Sequence, residues 1–433
     1  MEPDQPIVVI GAGFVGLATA TFLADSGHRV TVVEKNPYTL ETLRHGELHF
    51  REPRLQHQFS KAVREHRITV VSPSPGIYRQ TDLIIIAIDS VDPGGWRMRI
   101  DTFARLAEWI ADSPRRRTCT VVLKSTNVLG FAEEFRCLLD TQSHGDKIRL
   151  AVNPEFLREG HAYEDTAEPW RVVIGAEDRS TRSRLKRFYT DIYGETAPVI
   201  TCDMRSAELI KLASNLYLSH RLAFINEIGL YAHRAGLDID LIRKAIGLDQ
   251  RIGRDYFNPG LGFGGSCLPK DCNLINSREL GEKFTFSTAE TALQINERVL
   301  DDVIDALEDS IGRPLKGKKL ALLGAAFKPE TDDTRGSQAV ALAVKLRRRG
   351  ATPRVFEPYL QSSSKIVDAK LPLDDSVEET LRGAEAMIIG TPHRQFGRLK
   401  PSLAAKLMKG RVVCDRFRLL ERSTWQKEGF EFV

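Results

Sequence analysis

Cysteine is scarce and scattered. Cys119, Cys137, Cys202, Cys267, Cys272 and Cys414 are the only six in 433 residues, and no two form a CxxC pair. That excludes the pattern of a zinc framework or a disulfide-stapled scaffold; reduced thiols in a cytoplasmic protein, with no metal site, are the expectation. Long apolar runs are missing too. The most continuous, residues 83–88, has the length of a buried strand and falls far short of a membrane span. No basic-then-apolar leader opens the chain. Neither charge sign dominates: 62 basic against 58 acidic side chains leave a net charge of +4. That balance argues against nucleic acid or a membrane surface as a partner. The remainder, 42% hydrophobic and 28% charged, is ordinary for a soluble globular protein with room for two or three domains.

What is present begins with Ile7-Val8-Val9-Ile10, whose β-branched run predicts a buried strand. Gly11-Ala12-Gly13-Phe14-Val15-Gly16 follows at once, then a helical pattern through Ala24. Gly27-His28 closes that helix, and Val30-Thr31-Val32-Val33 is a second strand ending in Glu34. Strand, GxGxxG, helix, strand and acid are the full context of a dinucleotide site. Gly11, Gly13 and Gly16 permit a tight turn and close approach of a pyrophosphate to the helix N-terminus. Glu34 can accept from both ribose hydroxyls and would repel a 2′-phosphate, so NAD is expected rather than NADP.

The strand–helix alternation continues through 83–88, a loop with Pro93-Gly94-Gly95, a helix over 103–110 and a strand at 120–123 ending in Lys124-Ser125-Thr126. Carboxyl ends of such strands face the ligand crevice, which makes Thr126 a candidate contact near the nicotinamide. A strand at 148–152 runs into Asn153-Pro154-Glu155-Phe156-Leu157-Arg158-Glu159-Gly160. Early proline, two glutamates four apart and a closing glycine predict one short helix with Glu155 and Glu159 on one face.

Residues 204–235 carry a long helical pattern without proline, stopped by Gly236. Lys211 and Asn215 lie one turn apart, in line with Leu218, Leu222 and Ile225. A lysine on such a stripe needs a carboxylate partner or a ligand. A long helix between two α/β units is also a natural dimerisation element. Next comes Gly260-Leu261-Gly262-Phe263-Gly264-Gly265-Ser266-Cys267-Leu268-Pro269-Lys270-Asp271. The glycines allow close backbone approach to a ligand, and proline marks a helix start near 269. Cys267 then sits just ahead of a helix N-terminus, which favours its thiolate, with Asp271 in the first turn. The alternative is a glycine-rich turn beside a structural cysteine. After a linker over 312–317, strands are expected at 319–324, 354–356, 386–389 and 411–414, with a helix through Ala339, Leu342 and Leu346 closed by Gly350. This is a second α/β unit without GxGxxG.

These motifs together resemble the nucleotide-sugar 6-dehydrogenases, the UDP-glucose/GDP-mannose group. The resemblance is carried by Gly11 to Gly16, by Asn153 to Gly160, and by Glu208-Leu209-Ile210-Lys211 with Asn215. Gly262 to Asp271 and Phe327-Lys328 to Arg335 complete it. The match spans about residues 7–420. It implies an α/β chain of two Rossmann-like doubly wound domains joined by a long helix and a helical middle domain. The segments would be NAD binding in 1–200, the cysteine loop and dimer contact in 201–312, and nucleotide-sugar binding in 313–433. It implies four-electron oxidation of a sugar alcohol to an acid with NAD, by a homodimer. Cys267 would trap the aldehyde, and Lys211 and Asn215 would stabilise oxyanions. Asp271 and Thr126 would handle a proton through water, and Glu155, supported by Glu159, would be the base for thioester hydrolysis.

By the same resemblance Phe14, Val15, Lys35, Ser90, Glu159 and Arg335 join the cofactor side. Phe156, Leu157, Arg158, Tyr256, Gly262, Phe263, Gly264, Phe327, Lys328 and Arg418 join the substrate side. Arg251 would reach the neighbouring subunit's sugar site. Gly-Ser-Cys rather than Gly-His-Cys, and the run from Asp249 to Gly253, favour UDP-glucose as the substrate. Three places depart from the family: Ser90-Val91 where Thr-Pro is usual, Asn127-Val128 where Val-Pro is usual, and Arg416-Phe417 after Asp415 where Gly-Arg is usual. Specialised glycan or antibiotic assembly would accommodate such drift. Rivals are the same chemistry on GDP-mannose or an N-acetylated UDP-sugar, an inactive binding relative, and a two-electron hydroxyacid dehydrogenase that would leave Cys267 unused.

Overall fold

The computed structural model describes residues 7–79, 81–92, 98–112, 118–142, 144–276, 284–360 and 371–433. The loop Pro93-Gly94-Gly95 lies outside them. The chain divides into two compact units; one boundary falls between Ser214 and Asn215, and Phe284, further on, still belongs to the first unit.

In the first unit eight strands make one sheet. They are β1 (Ile7–Ile10), β2 (Val30–Val33), β3 (Ile68–Val71), β4 (Leu83–Ile86), β5 (Cys119–Leu123), β6 (Ile148–Val152), β7 (Val172–Ala176) and β8 (Val199–Cys202), ordered 3-2-1-4-5-6-7-8. The first six are parallel in the doubly wound order, which places a ligand crevice outside the carboxyl ends of β1 and β4. β7 turns antiparallel to β6, an extension the sequence reading does not contain. β1 and β4 are buried at every residue, because helices cover both faces. The helix Phe14–Asp25 follows the glycine loop. It is buried nearly all round, from Gly16 to Ala24, because further helices pack on its outer side.

One sequence expectation fails here. Residues 153–160 do not form a helix; the first helix after β6 is Ala162–Ala167. Pro154 disfavours helical backbone at Asn153. The Glu155 carboxylate accepts from the Leu157 N–H at 2.6 Å, a local turn that replaces helical bonding. Glu155 and Glu159 therefore share no helical face.

The helix Met204–Arg234 forms as expected. Its buried line, however, is not continued by Leu218 and Leu222, which are half-buried. Ile225 is buried as expected, with Leu212, Leu216 and Ala223, and the same buried side also carries Glu208, Lys211, Asn215, Ser219 and Asn226, all under 9% exposed. Glu208 explains part of this. Its carboxylate accepts the Gly130 N–H at 2.6 Å and the Ala132 N–H at 2.8 Å, capping the helix Phe131–Asp140 from outside. Burial pushes Glu208 up to about 7 from an ordinary 4.5, against those two backbone donors. The raised value means stability is full below pH 4.5 and declines as pH rises through 7. Urea denaturation is expected to show that decline in the parent and not in Glu208→Gln. Glu208→Ala is expected to cost ~1–2 kcal/mol as a lost cap.

In the second unit β9 (Lys319–Leu323), β10 (Thr352–Phe356), β11 (Ala386–Ile389), β12 (Val412–Cys414) and β13 (Glu431–Phe432) form a parallel sheet ordered 10-9-11-12-13. The helix Gln338–Arg348 follows β9 as expected. The 25-residue helix Ser287–Ile311 is absent from the sequence reading. Its buried series Ala292, Ile295, Val299, Val303 and Leu307 nonetheless carries the helical period. No helix among the described residues is long and apolar enough to cross a membrane.

Candidate active site

The dinucleotide loop shows three different reasons for its glycines. A Cβ on Gly11, at φ +102°, would collide with the Ala87 carbonyl, and one on Gly16 with the Gly11 carbonyl. Gly13 has no neighbour within 4 Å of where its Cβ would sit, among the described residues. No described residue requires its smallness, and open backbone here is what a pyrophosphate needs. Glu34 stands at the end of β2, accepting the Ala12 N–H at 3.3 Å and the Asn36 N–H at 2.7 Å. Its carboxylate is thereby anchored beside the loop, where a ribose would lie. NAD fits these residues. Phe14 packs on Phe50 with ring centroids 3.9 Å apart, Val15 is half-buried, and Lys35 is exposed. Ser90 is buried; its Oγ donates to the Thr126 carbonyl and ties the segment after β4 to that after β5.

A second cluster of the first unit surrounds Lys211. Its ammonium, 4% exposed, meets the Glu155 carboxylate at 2.8 Å and lies 5.5 Å from the Phe156 ring centroid. Burial alone would raise Glu155. The Lys211 charge, its hydrogen bond, the Leu157 N–H and Lys124 outweigh that, holding the carboxyl below its ordinary range. Phe156 also carries the Arg171 guanidinium 3.8 Å from its centroid. Leu157 is half-buried, with its N–H on Glu155. Glu159 is half-buried. Arg158 turns to Asp165, with bonds of 2.9 and 2.6 Å, and to Trp170.

The cysteine loop belongs to the second unit. Leu268–Leu274 is a helix with Pro269 in its first turn and Cys267 at the N-cap, as the sequence predicts. The Cys267 side chain is exposed, with Sγ 3.7 Å from the Ser266 hydroxyl. Asp271 is fully buried and accepts from Asn215 Nδ2 at 2.6 Å and Lys270 Nζ at 2.7 Å. The glycines of this loop are demanded by the unit's own packing. A Cβ on Gly260 would strike the Phe417 ring, on Gly262 the Asn296 amide, and on Gly264 the Gly336 carbonyl. One on Gly265 would come within 2.6 Å of Phe327. Phe263 is locked by Asn296, which accepts its N–H at 2.7 Å and donates to its carbonyl at 2.9 Å, and by Gln338 at 3.0 Å. These contacts fix the backbone of the loop, which favours precise presentation of the thiol.

Several other expected residues make local pairs. Arg251 is 89% exposed and bonds Asp249 at 2.7 Å. Arg335 bonds Asp333 at 2.6 Å, Arg418 meets Asp240 at 3.4 Å, and Lys328 is half-buried. Tyr256 takes a positive φ of 53°. In the second sheet Glu357, at the end of β10, occupies the position Glu34 has in the first. It accepts from Ala325 and Ala326 N–H at 2.7 and 2.9 Å and meets His393 at 3.1 Å. The chain's own groups fill that position, consistent with the missing GxGxxG. Sequence reasoning misses Lys124, Lys270, Asn296 and the capping task of Glu208. A polar residue breaking the apolar face of a helix, as Asn296 does, is the one signal that could have found any of them.

A doubly wound sheet with an open Gly13 and an anchored Glu34 belongs to a pyridine-nucleotide oxidoreductase. The exposed thiol of Cys267, four residues before the buried Asp271 that Asn215 holds, is a candidate nucleophile. By comparison with known proteins, the chain belongs to the UDP-glucose/GDP-mannose dehydrogenase family. Residues 5–193 match the family's NAD binding domain, 205–298 its central domain and 321–422 its UDP binding domain. The chain is 31% identical over 412 residues to UDP-glucose 6-dehydrogenase YwqF of Bacillus subtilis (strain 168), covering 94% of this chain and 92% of that one. A solved UDP-glucose dehydrogenase from Pyrobaculum islandicum matches with a TM-score of 0.87 and 34% identity, over 98% of this chain and 96% of that one. A UDP-D-ManNAc dehydrogenase from Pyrococcus horikoshii shares the fold, with a TM-score of 0.86 at 24% identity over 99% and 98% of the two chains. This chain is an NAD-dependent nucleotide-sugar dehydrogenase.

Proposed function

We propose that the enzyme oxidises the C6 alcohol of UDP-glucose to the carboxylate through a covalent intermediate on Cys267. The exposed thiol at the end of a pre-locked glycine loop is the observation that carries this reading, because a simple alcohol dehydrogenase has no use for it. UDP-glucose is favoured by Ser266 ahead of the cysteine and by the names of the relatives at 31% and 34% identity. Residues 1–200 would hold NAD, 201–312 the thiol, and 313–433 the nucleotide of the donor.

Bound NAD supplies a two-electron acceptor, and two are used per sugar. Asp271, with water and Thr126, takes the hydroxyl proton as the alcohol becomes aldehyde. The Cys267 thiolate then adds to the aldehyde carbon, forming a C–S bond and an alkoxide. Lys211 and an Asn215 N–H stabilise that oxygen; the amide has two donors and only one goes to Asp271. Loss of the second electron pair leaves a thioester. Water adds to its carbonyl, the C–S bond breaks, and the sulfur leaves as thiolate with the acid as product. Glu155, held ionised, accepts from that water. Its low affinity for protons makes it a modest base, so aiming the water is the larger part of its contribution.

The active form is a homodimer paired through the long helix, whose Tyr217, Phe224 and Tyr231 are exposed at seven-residue spacing. Arg251, at 89% exposure, reaches the partner's sugar site. The test is to incubate the protein with NAD and a panel of nucleotide sugars, count NADH and weigh the product. Two NADH per UDP-glucose and the mass of UDP-glucuronate are expected. Two NADH on another sugar moves the substrate, and one or none overturns the chemistry.

A further inference from the structure

Lys124 has no part in the scheme above, yet the first unit builds a polar cluster around it. It is the first residue beyond β5, and its N–H bonds the Ile86 carbonyl at 2.9 Å. Its ammonium donates to Asn153 Oδ1 at 2.9 Å. The same oxygen accepts the Tyr189 hydroxyl at 2.7 Å, and Asn153 Nδ2 donates to the Val173 carbonyl at 2.7 Å. Asn153 is thus fixed from both ends of its amide, two residues before Glu155. The charged groups that face Lys124 are Glu155, which attracts it, and Lys211, which repels it. Two ammonium groups therefore act on one carboxylate.

That duplication needs a reason, since a single buried lysine would neutralise Glu155. During the reaction Lys211 is wanted elsewhere, on the oxygen of the sugar. Without a second cation Glu155 would then be a lone buried carboxylate and would take up a proton. Resting on the thioester reading above, we propose that Lys124 is a positioning residue. Through Asn153 and its own charge it keeps Glu155 ionised and aimed at water while Lys211 serves the oxyanion. Burial also lowers Lys124 to about 8, so its own deprotonation falls at the upper edge of neutral pH.

The test compares Lys124→Met and Lys124→Arg with the parent, by quenching turnover and following the acyl adduct on Cys267 by intact mass. In Lys124→Met the adduct is expected to decay on the order of 10-fold more slowly, short of the ~10²–10⁴ a general base is worth in full. The first NADH should form at nearly the parent rate, and Lys124→Arg should restore most of the decay rate. The pH profile of adduct decay should lose its alkaline limb near 8 in Lys124→Met. Stability supplies a reading free of activity. A lysine lowered from 10.5 to about 8 makes the parent gain stability as pH rises between those values, and the methionine variant should lack that gain. Equal slowing of both steps in Lys124→Met, or an unchanged pH profile, would make Lys124 a strut for Asn153 and overturn the proposal. Absence of any adduct in the parent would instead remove the thioester reading on which it stands, and the proposal with it.

Discussion

Cys267→Ala is expected to stop acid formation, with losses up to the ~10⁶-fold scale of removing a covalent nucleophile. The reason is chemical. Hydride loss from an alcohol needs no thiol, but hydride loss from an aldehyde needs a tetrahedral carbon bearing a hydroxyl or thiol adduct. In the proposed scheme sulfur supplies that adduct and holds the half-oxidised sugar in place while the acceptor is exchanged. The variant should retain fold and substrate binding, because the side chain is exposed and its removal leaves no cavity. At most one NADH per sugar should appear, measured by absorbance against product mass. Full turnover to acid would show that water alone does the trapping.

Lys211→Met should fail twice. Removing a preorganised cation from a developing oxyanion costs ~10²–10³-fold in kcat. It also removes the nearer of the two cations that act on the Glu155 carboxylate, 8% exposed and paired with Lys211 at 2.8 Å in the parent. Breaking such a pair costs roughly 3–5 kcal/mol when the charge is left alone, so with Lys124 still in place a loss up to that size is expected, which urea denaturation would read directly. Because the folded Glu155 is held below its ordinary value, the pair's stability is present above pH 4.5 and lost as pH falls through the folded value. Lys211→Met with Glu155→Gln should recover most of the stability and none of the activity. Recovery of activity in the double variant would remove Lys211 from the chemistry.

Much of this was legible in the chain because it rests on local rules. A β-branched run followed by GxGxxG and an acid at Glu34 dictates the first βαβ turn. Pro269 dictates where the helix behind Cys267 begins. The failures come from tertiary forces that no window sees. Residues 153–160 satisfy helix signals, yet Pro154 and the pull of Lys211 on Glu155 draw the segment into an extended turn. The glycines near Cys267 read as room for a ligand, but Phe327, Asn296, Gly336 and Phe417 fill the space beside them. Lys124 sits at a strand end like many solvated lysines. Only the side chains of Asn153 and Tyr189, 29 and 65 positions further on in the sequence, show that it is held.

The most direct measurement is the intact mass of Glu155→Gln protein quenched during turnover with NAD and UDP-glucose. Slowed hydrolysis should leave a population heavier by the acyl nucleotide sugar, mapping by peptide to Cys267. Two NADH per sugar with no adduct, or an adduct on another residue, would contradict a sulfur-bound intermediate.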